Sequence, residues 1–249
     1  MIKQKFPRAM SYALIVACAS SVAACQVAGL KPEQSSSSEQ TVSAAPQEVS
    51  SFNEPIYLLA NPEVKDQIKA GKYKSGLEHF EKVGLTTKKP DGESYESFFT
   101  GTSGNDTIKA IGQGEHTHFS GVDLEVVPGQ DGPLPLRPKS LGTGEVDILV
   151  GTTEGSDEFL VGSFITSVNS KPQPFYIGKG DADYARIKNF NKSKDSIILA
   201  GFPEQYQLKS VDGDFLISTK EGDLVAIVEG VDRLDVEGIY KEFGVSILK

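Results

Sequence analysis

Cysteine, histidine and methionine are scarce in this sequence, and tryptophan is absent. Its 249 residues include two cysteines (Cys18 and Cys25), three histidines, two methionines and no tryptophan. So few thiols exclude a disulfide framework and a cysteine zinc cluster. After residue 30, no apolar run is long enough to cross a bilayer as a helix. No P-loop, nucleophile elbow or zincin signature is present, so the sequence predicts a protein that is not an enzyme.

The first 24 residues have the layout of a secretory signal. Lys3, Lys5 and Arg8 form a basic start, and residues 10–24 follow without a charge and end in small residues. The apolar stretch is too short and too rich in alanine and serine for a membrane span. We therefore expect residues 1–24 to be a signal peptide and the mature protein to be exported.

The sequence around Cys25 predicts a lipid anchor. Val22-Ala23-Ala24-Cys25 resembles the lipobox of bacterial lipoproteins, in which the cysteine thiol is acylated and becomes the first mature residue. Ordinary cleavage near Ala24, with Cys25 incidental, is the alternative. With lipidation at Cys25, the expected location is the cell envelope, at the outer membrane or the periplasmic face, and the mature chain has no free thiol.

Charge and composition describe the segment after the anchor and exclude one class of partner. The net charge of −9 becomes −12 when the signal removes its three basic residues. Such an acidic chain is not expected to bind nucleic acid, since phosphate contacts depend on Lys and Arg. Residues 25–51 are polar and serine-rich, which predicts a disordered tether behind the lipidated cysteine.

Residues 52–97 are predicted to form a short helical hairpin. Asn61 and Pro62 are a helix cap and a first helical residue, and Gly71 is a stop signal. Ser75 and Glu78 have the spacing of a capping box that starts a second helix.

From residue 98 to 249 the pattern indicates a mainly β domain, with glycine and aspartate between short β-branched runs. Asp212-Gly213 and Glu221-Gly222 are turn signals, and residues 130–140 and 164–174 are predicted loops. The predicted strands are 147–150, 158–161, 196–199, 215–218 and 224–228.

Four Gly/Asp phrases carry the candidate chemistry. They are GTSGNDTI at 101–108, GTGEVDIL at 142–149, GTTEGSDEF at 151–159 and the looser GKGDADY at 178–184. They approximate the nonapeptide G-G-x-G-x-D-x-U-x, in which glycines allow tight turns, the aspartate offers an oxygen suited to calcium, and the apolar residue enters the core. The aspartates at the motif position are Asp106, Asp147, Asp157 and Asp183.

These phrases resemble the calcium-binding repeats of RTX (hemolysin-type) proteins. The runs LGTGEVDILVGTTEGSDEFLVG and FYIGKGDADYARIKNFNKSKDSIILAG are similar to a module of cyanobacterial proteins described as calcium-binding. The segment YLLANPEVKDQIKAGKYKSGLEHF resembles one that accompanies such repeats, so the resemblance covers most of residues 56–231. It implies a β-roll or β-solenoid-like domain with calcium at Asp106, Asp147, Asp157 and Asp183.

The phrases also depart from the RTX pattern. Only the pair at 142–160 is adjacent, the second glycine is replaced by Thr or Lys, and Glu145 occupies a glycine position. The aspartates are therefore also candidates for closing Asx turns and capping strands. A second metal candidate is His116 and His118, which would share one face of a strand. Without a visible third ligand, an exposed polar strand is the favoured interpretation of these histidines.

The function expected from the sequence is a lipid-anchored envelope protein with a calcium-binding, structural β module and an envelope protein or polysaccharide as partner. The alternative is a calcium-independent interaction protein with degenerate repeats, folded as a sandwich or solenoid. An unrecognised hydrolase is the least favoured reading.

Overall fold

The computed structural model describes residues 51–112, 116–129 and 134–249. The predicted signal peptide, the lipidation site Cys25 and nearly all of the predicted tether lie outside the described residues. In the described part of the chain, no helix is both long and apolar enough to cross a membrane.

Short helices form the N-terminal part of the described chain. They are α1 (Glu54–Ala60), α2 (Pro62–Lys69) and α3 (Gly76–His79), which continues as a π-helical turn at Phe80–Gly84. The Ser75 hydroxyl accepts the Glu78 N–H at 3.0 Å, as the capping-box spacing predicts. Asn61, in contrast, does not cap α2 with its side chain. Its amide instead bonds the backbone of Glu96 in both directions, which ties the helices to the first strand.

Fourteen strands follow in the described residues. They are β1 (Ser97–Thr100), β2 (Thr107–Lys109), β3 (His116–Ser120), β4 (Leu124–Val126), β5 (Leu136–Pro138), β6 (Val146–Val150), β7 (Ser156–Leu160), β8 (Tyr184–Lys188), β9 (Ser196–Ala200), β10 (Tyr206–Val211), β11 (Asp214–Thr219), β12 (Leu224–Val228), β13 (Val236–Tyr240) and β14 (Val245–Leu248). The described residues also form 3₁₀ turns at Gly180–Ala182 and Pro203–Gln205. Strand β5 falls inside the predicted loop 130–140, so that prediction is wrong in part.

The strands wind into a β-solenoid of about three turns, which confirms the predicted fold class. Sheet A has the order β1-β3-β7-β9-β14-β13, and sheet B has the order β10-β11-β12-β8-β6-β2. Within the solenoid the chain alternates between the sheets, and neighbouring coils pair in parallel. Antiparallel strands close the C-terminal end of each sheet: β14 and β13 in sheet A, and β11 and β10 in sheet B.

Two ladders of apolar side chains fill the solenoid. Phe99, Phe119 and Phe159 stack from coil to coil in sheet A, with ring centroids 6.0 and 5.2 Å apart. In sheet B the aligned and buried residues are Ile108, Leu149, Ile187 and Val228. Burying these side chains stabilises the fold by roughly 1.5–3 kcal/mol each. Inward positions are thus occupied by hydrophobic residues, and the alternate positions of sheet A remain free to carry polar groups.

Candidate metal centre

The four motif aspartates lie at the corners where the chain passes from one sheet to the other. Asp106 and Asp183 come directly before β2 and β8, and Asp147 and Asp157 are the second residues of β6 and β7. All four side chains are buried. Glycine-containing turns precede them, as the Gly/Asp phrases predict.

Two of these carboxylates close their own turn. Asp106 Oδ2 accepts the Thr102 N–H at 2.6 Å and the Thr102 hydroxyl at 3.0 Å. Asp157 accepts the same pair of donors from Thr152. The threonine at the second position of each phrase, a departure from the RTX pattern, thus contributes a second donor to the turn.

Other carboxylates connect one coil to the next. Asp147 Oδ1 accepts the N–H of Asp106 at 2.8 Å, and Asp195 Oδ1 accepts the N–H of Asp157 at 3.0 Å. Asp183 Oδ2 accepts the Gly144 N–H at 2.9 Å. The turn-closing role that the sequence left open is therefore present in the structure, and Asp195 belongs to it although it was not predicted.

The corners nevertheless carry crowded negative charge. Burial raises the pKa of Asp147 to about 6, and burial together with Asp195 does the same for Asp157. The pKa of Glu145 rises to about 7 because of burial and the nearby Asp147 and Asp106. Asp183 Oδ1 is buried without a hydrogen-bond partner among the described residues. Calcium ligation by these aspartates stays a prediction.

A different group has the compactness of a metal site. Among the described residues, the one set of three or more His, Cys, Asp or Glu side chains whose ligand atoms lie within 4.8 Å of one another is Glu96, His116 and His118. Calcium is not indicated there, because two of the three donors are imidazole nitrogens.

The expectation that His116 and His118 lie on an exposed strand is wrong. Both side chains alternate onto the outer face of sheet A, but each residue is only 3 % exposed. The neighbouring strands supply acidic partners, Glu96 directly before β1 and Glu158 on β7, which are 4 % and 5 % exposed. His79, the third histidine, is likewise buried and bonds the Tyr57 hydroxyl at 2.8 Å, away from this group.

Strand register brings these side chains together. His118 pairs with Phe98 on β1 and with Glu158 on β7, while His116 pairs with Ser156. His118 Nε2 lies 2.7 Å and His116 Nε2 lies 3.3 Å from the same oxygen, Glu96 Oε2. The two imidazoles therefore direct their Nε2 atoms at one carboxylate oxygen.

The other nitrogen of each ring faces a supporting group. The Ser156 hydroxyl lies 3.3 Å from His116 Nδ1, and Glu158 Oε2 lies 3.4 Å from His118 Nδ1. A carboxylate or hydroxyl on the far nitrogen of a histidine fixes its orientation and keeps the near nitrogen available to a metal. Phe98 stacks on the His118 ring with centroids 4.2 Å apart and holds its plane.

Without a metal, the group is a cluster of ion pairs in which two buried polar atoms lack hydrogen-bond partners. Burial opposes charge on His118, but its contacts with Glu158 and Glu96 prevail and raise its pKa to about 9. Burial opposes charge on Glu158 as well, yet His118 and His116 lower its pKa. His116 Nε2 and Glu158 Oε2 are buried without a hydrogen-bond partner among the described residues. Such an orphaned polar atom costs about 1–3 kcal/mol, and a cation bound to His116 Nε2 would remove that cost for this nitrogen.

The distance between His116 Nε2 and Glu96 Oε2 fits a small divalent ion, whereas that between His118 Nε2 and Glu96 Oε2 is too short for one. Bonds of about 2.0–2.2 Å from zinc to nitrogen and oxygen put tetrahedral neighbours roughly 3.3–3.5 Å apart. The 3.3 Å between His116 Nε2 and Glu96 Oε2 matches this value. The 2.7 Å at His118 is a hydrogen-bond distance, which must lengthen by several tenths of an ångström when a metal replaces the proton.

The sequence contained one usable signal for this group. His118, Glu158 and Phe98 each stand one residue before a phenylalanine of the inward ladder, at Phe119, Phe159 and Phe99. Aligning those phenylalanines would have placed the three preceding residues side by side on the outer face. Glu96 follows from the same alignment, two residues before Phe98.

No model of a known protein family matches this chain. A search of curated proteins likewise finds no match.

Proposed function

We propose that this chain is an exported, lipid-anchored envelope protein whose β-solenoid binds a divalent transition-metal ion through Glu96, His116 and His118. The role is one of binding and structure, with Glu158 and Ser156 orienting the two imidazoles. One observation carries the proposal: one ligand atom each from Glu96, His116 and His118, all buried, lie within 4.8 Å of one another, and both Nε2 atoms approach Glu96 Oε2.

The donor set selects the class of metal. Imidazole nitrogen suits zinc, copper, iron and nickel, whereas calcium and magnesium prefer oxygen donors and more of them. Two histidines with one carboxylate therefore favour Zn²⁺ and related ions over Ca²⁺. Burial excludes water from the ligands, which strengthens their interaction with a cation.

Calorimetry with the chain from Gln26 onward, which leaves out the Cys25 thiol as a competing zinc ligand, tests the proposal. Zn²⁺ should bind the wild type with a stoichiometry of one, and His116→Ala combined with His118→Ala should abolish binding. His79→Gln is the matched control, since it removes the third histidine, which is equally buried but lies outside the group. Far-UV circular dichroism checks that each variant is folded. Equal Zn²⁺ binding by the double variant would refute the proposal.

Export and anchoring rest on the N-terminal sequence alone. Expression of the full chain in a bacterium with metabolic labelling by a palmitate analogue should label the wild type and leave Cys25→Ser unlabelled. An unlabelled wild type that is still exported would support ordinary signal cleavage instead.

Calcium at the corners is a second candidate, supported by the raised pKa values of Glu145, Asp147 and Asp157. A cation would relieve the repulsion and desolvation that raise these pKa values. Millimolar Ca²⁺ should then raise the melting temperature of the wild type by mass action, and Asp147→Ala with Asp157→Ala should remove the increase. If Ca²⁺ leaves the wild-type melting temperature unchanged, the repeats are degenerate and the aspartates only close turns.

A further inference from the structure

The outer face of sheet B is the partly open face of the solenoid. Along β6, β8 and β11, buried and partly exposed residues alternate, so every second side chain points away from the core. In sheet A, by contrast, every residue of β9 and β14 is buried. Strands that pair in parallel are normally covered on both faces. The outer face of sheet B is therefore a candidate docking surface.

Strand register joins the outward residues of sheet B into rows. One row crosses all six strands, from β2 to β10, and its members are Thr107, Ile148, Arg186, Ile227, Leu216 and Lys209. Val146 and Val150 lie on either side of Ile148 along β6 and are partly exposed as well. We call Val146, Ile148, Val150, Leu216 and Ile227 the apolar band. Six strands about 4.8 Å apart give the face a width of roughly 24 Å.

The charge of this face is opposite to that of the whole chain. The basic side chains that its strands direct outward are Lys109, Arg186, Lys188 and Lys209. The acidic ones are Asp214 on β11 and Glu229 directly after β12, which pairs with Arg186 at 2.9 Å. Four basic groups against two acidic ones make the face positive, although the chain has a net charge of −9. Such a local excess of positive charge favours an anionic partner.

The outward side chains of β8 suit a boundary between water and an apolar phase. The Arg186 guanidinium lies 5.6 Å from the centre of the Tyr184 ring, and both residues are partly exposed. Tyrosine, arginine and lysine each combine an apolar body with a polar tip, so they can contact hydrocarbon while the tip stays hydrated. Such residues are favoured at membrane interfaces.

The described chain begins at the edge of this face. The Ser51 hydroxyl donates to the carbonyl oxygen of Lys109 at 3.5 Å, and β2, which contains Lys109, is an edge strand of sheet B. Residues 25–50 precede this point, and a chain of that length can reach at most about 90 Å. An anchor at Cys25 would therefore keep the outer face of sheet B within reach of the membrane.

We infer that the outer face of sheet B lies on an anionic phospholipid surface, with the apolar band against the lipid and Arg186, Lys188 and Lys209 on phosphate headgroups. The inference rests on the anchoring part of the proposed function and does not involve the metal centre. An acyl chain combined with a basic surface is a pair of signals that holds a peripheral protein stably on a membrane. Sheet A, with Glu96, His116 and His118, then faces away from the membrane.

Flotation with vesicles tests the inference on the chain from Gln26 onward, which lacks the anchor. Vesicles of phosphatidylglycerol and phosphatidylethanolamine should bind the wild type, and added salt should weaken this binding. Lys188→Gln with Lys209→Gln should weaken it by about tenfold or more, since one basic residue near an anionic surface contributes about fivefold. Lys171→Gln with Lys241→Gln is the matched control, because both lysines are exposed and lie on the side of sheet A.

Leu216→Ser with Ile227→Ser tests the apolar band separately. These residues are neighbours in register, and the variant should bind the same vesicles about tenfold more weakly with all charges intact. Circular dichroism checks that it is folded, and Ile148→Thr takes its place if it is not.

The outcomes separate the inference from the proposed function. A wild type that does not bind anionic vesicles at low salt would overturn the inference, whereas failure of palmitate labelling would overturn the anchor alone. Equal weakening by the control pair of lysines would show that net charge, and not sheet B, causes binding, and would also overturn it. A dimer in analytical ultracentrifugation that Leu216→Ser with Ile227→Ser dissociates would make this face an interface between two copies instead.

Discussion

His118 is the residue on which the centre depends, because both of its ring nitrogens are engaged. Nε2 lies 2.7 Å from Glu96 Oε2 and Nδ1 lies 3.4 Å from Glu158 Oε2. With a raised pKa of about 9, the ring is cationic at neutral pH when no metal is bound. A metal must displace the Nε2 proton, and the remaining Nδ1–H then donates toward Glu158. Metal binding therefore exchanges a proton for a metal ion within an unchanged set of neighbours.

Glu158→Gln separates an orienting role from a ligand role. If Glu158 orients His118, the variant should keep a stoichiometry of one Zn²⁺ and lose roughly 10–100-fold in affinity, the usual effect of removing a supporting carboxylate. Calorimetry measures both quantities, and Glu154→Gln on the preceding turn is the control. Complete loss of binding would show that Glu158 is itself a ligand.

Asp147 gives a pH dependence with a defined sign. Its folded pKa of about 6 is above the ordinary aspartate value of 3.8, so the native state binds the proton more tightly than the unfolded chain. The free energy of unfolding contributed by this group is highest at low pH and falls as pH rises from about 4 through 6. Two pKa units correspond to about 3 kcal/mol at most.

Asp147→Asn should therefore flatten the decline in stability over that pH range relative to the wild type, as measured by urea unfolding. The comparison between the two proteins is needed because His79 acts in the opposite direction: burial lowers its pKa to about 4, so it costs stability as pH falls. If the free energy of unfolding falls with pH in parallel for the two proteins, Asp147 does not have the raised pKa assigned to it.

At the scale of elements, the corner turns require glycine where two coils approach. A Cβ on Gly101 would overlap the carbonyl oxygen of Gly121, one coil away. Gly213, in the β10–β11 turn, has φ of +90° but open space around it. Glycine is needed at position 101 because the two backbones are in close contact there. At position 213 it is needed only because the backbone has a positive φ.

Substitution of these two glycines by alanine should lower the free energy of unfolding by different amounts. Gly213→Ala should cost about 1–2 kcal/mol, the price of a left-handed conformation in a residue with a side chain. Gly101→Ala should cost about 3 kcal/mol or prevent folding, since backbone must move to accommodate it. Thermal or urea unfolding gives both values, and equal losses would show that coil contact does not limit the corner.

Local pattern was enough to predict several elements. The five predicted strands are all present with boundaries shifted by no more than two residues, and both Gly turn signals lie between strands. Val236–Tyr240 and Val245–Leu248 were missed although they pair with each other as a local antiparallel hairpin; Val245–Leu248 also pairs with the distant strand Ser196–Ala200. The prediction that β3 is an exposed strand failed because β1 and β7 lie on both sides of it, and the sequence of a single strand does not reveal its neighbours.

At the scale of the whole molecule, the solenoid is closed at both ends. Aromatic contacts join the N-terminal segment to the Phe ladder, with Phe52 and Phe80 at 5.1 Å and Phe80 and Phe99 at 6.1 Å. Antiparallel strands end both sheets on the other side. The repeat phrases predicted the solenoid, since each marks one corner. They did not predict the metal centre, which needs residues from three successive strands of sheet A in register.

The location of the metal in a crystal of the Zn²⁺-loaded mature protein tests the central claim most directly. Anomalous scattering at the zinc edge should give one strong peak, with Glu96 Oε2, His116 Nε2 and His118 Nε2 each about 2.0–2.2 Å from it. No peak between these three atoms, or a peak only at the corner aspartates, would contradict the account.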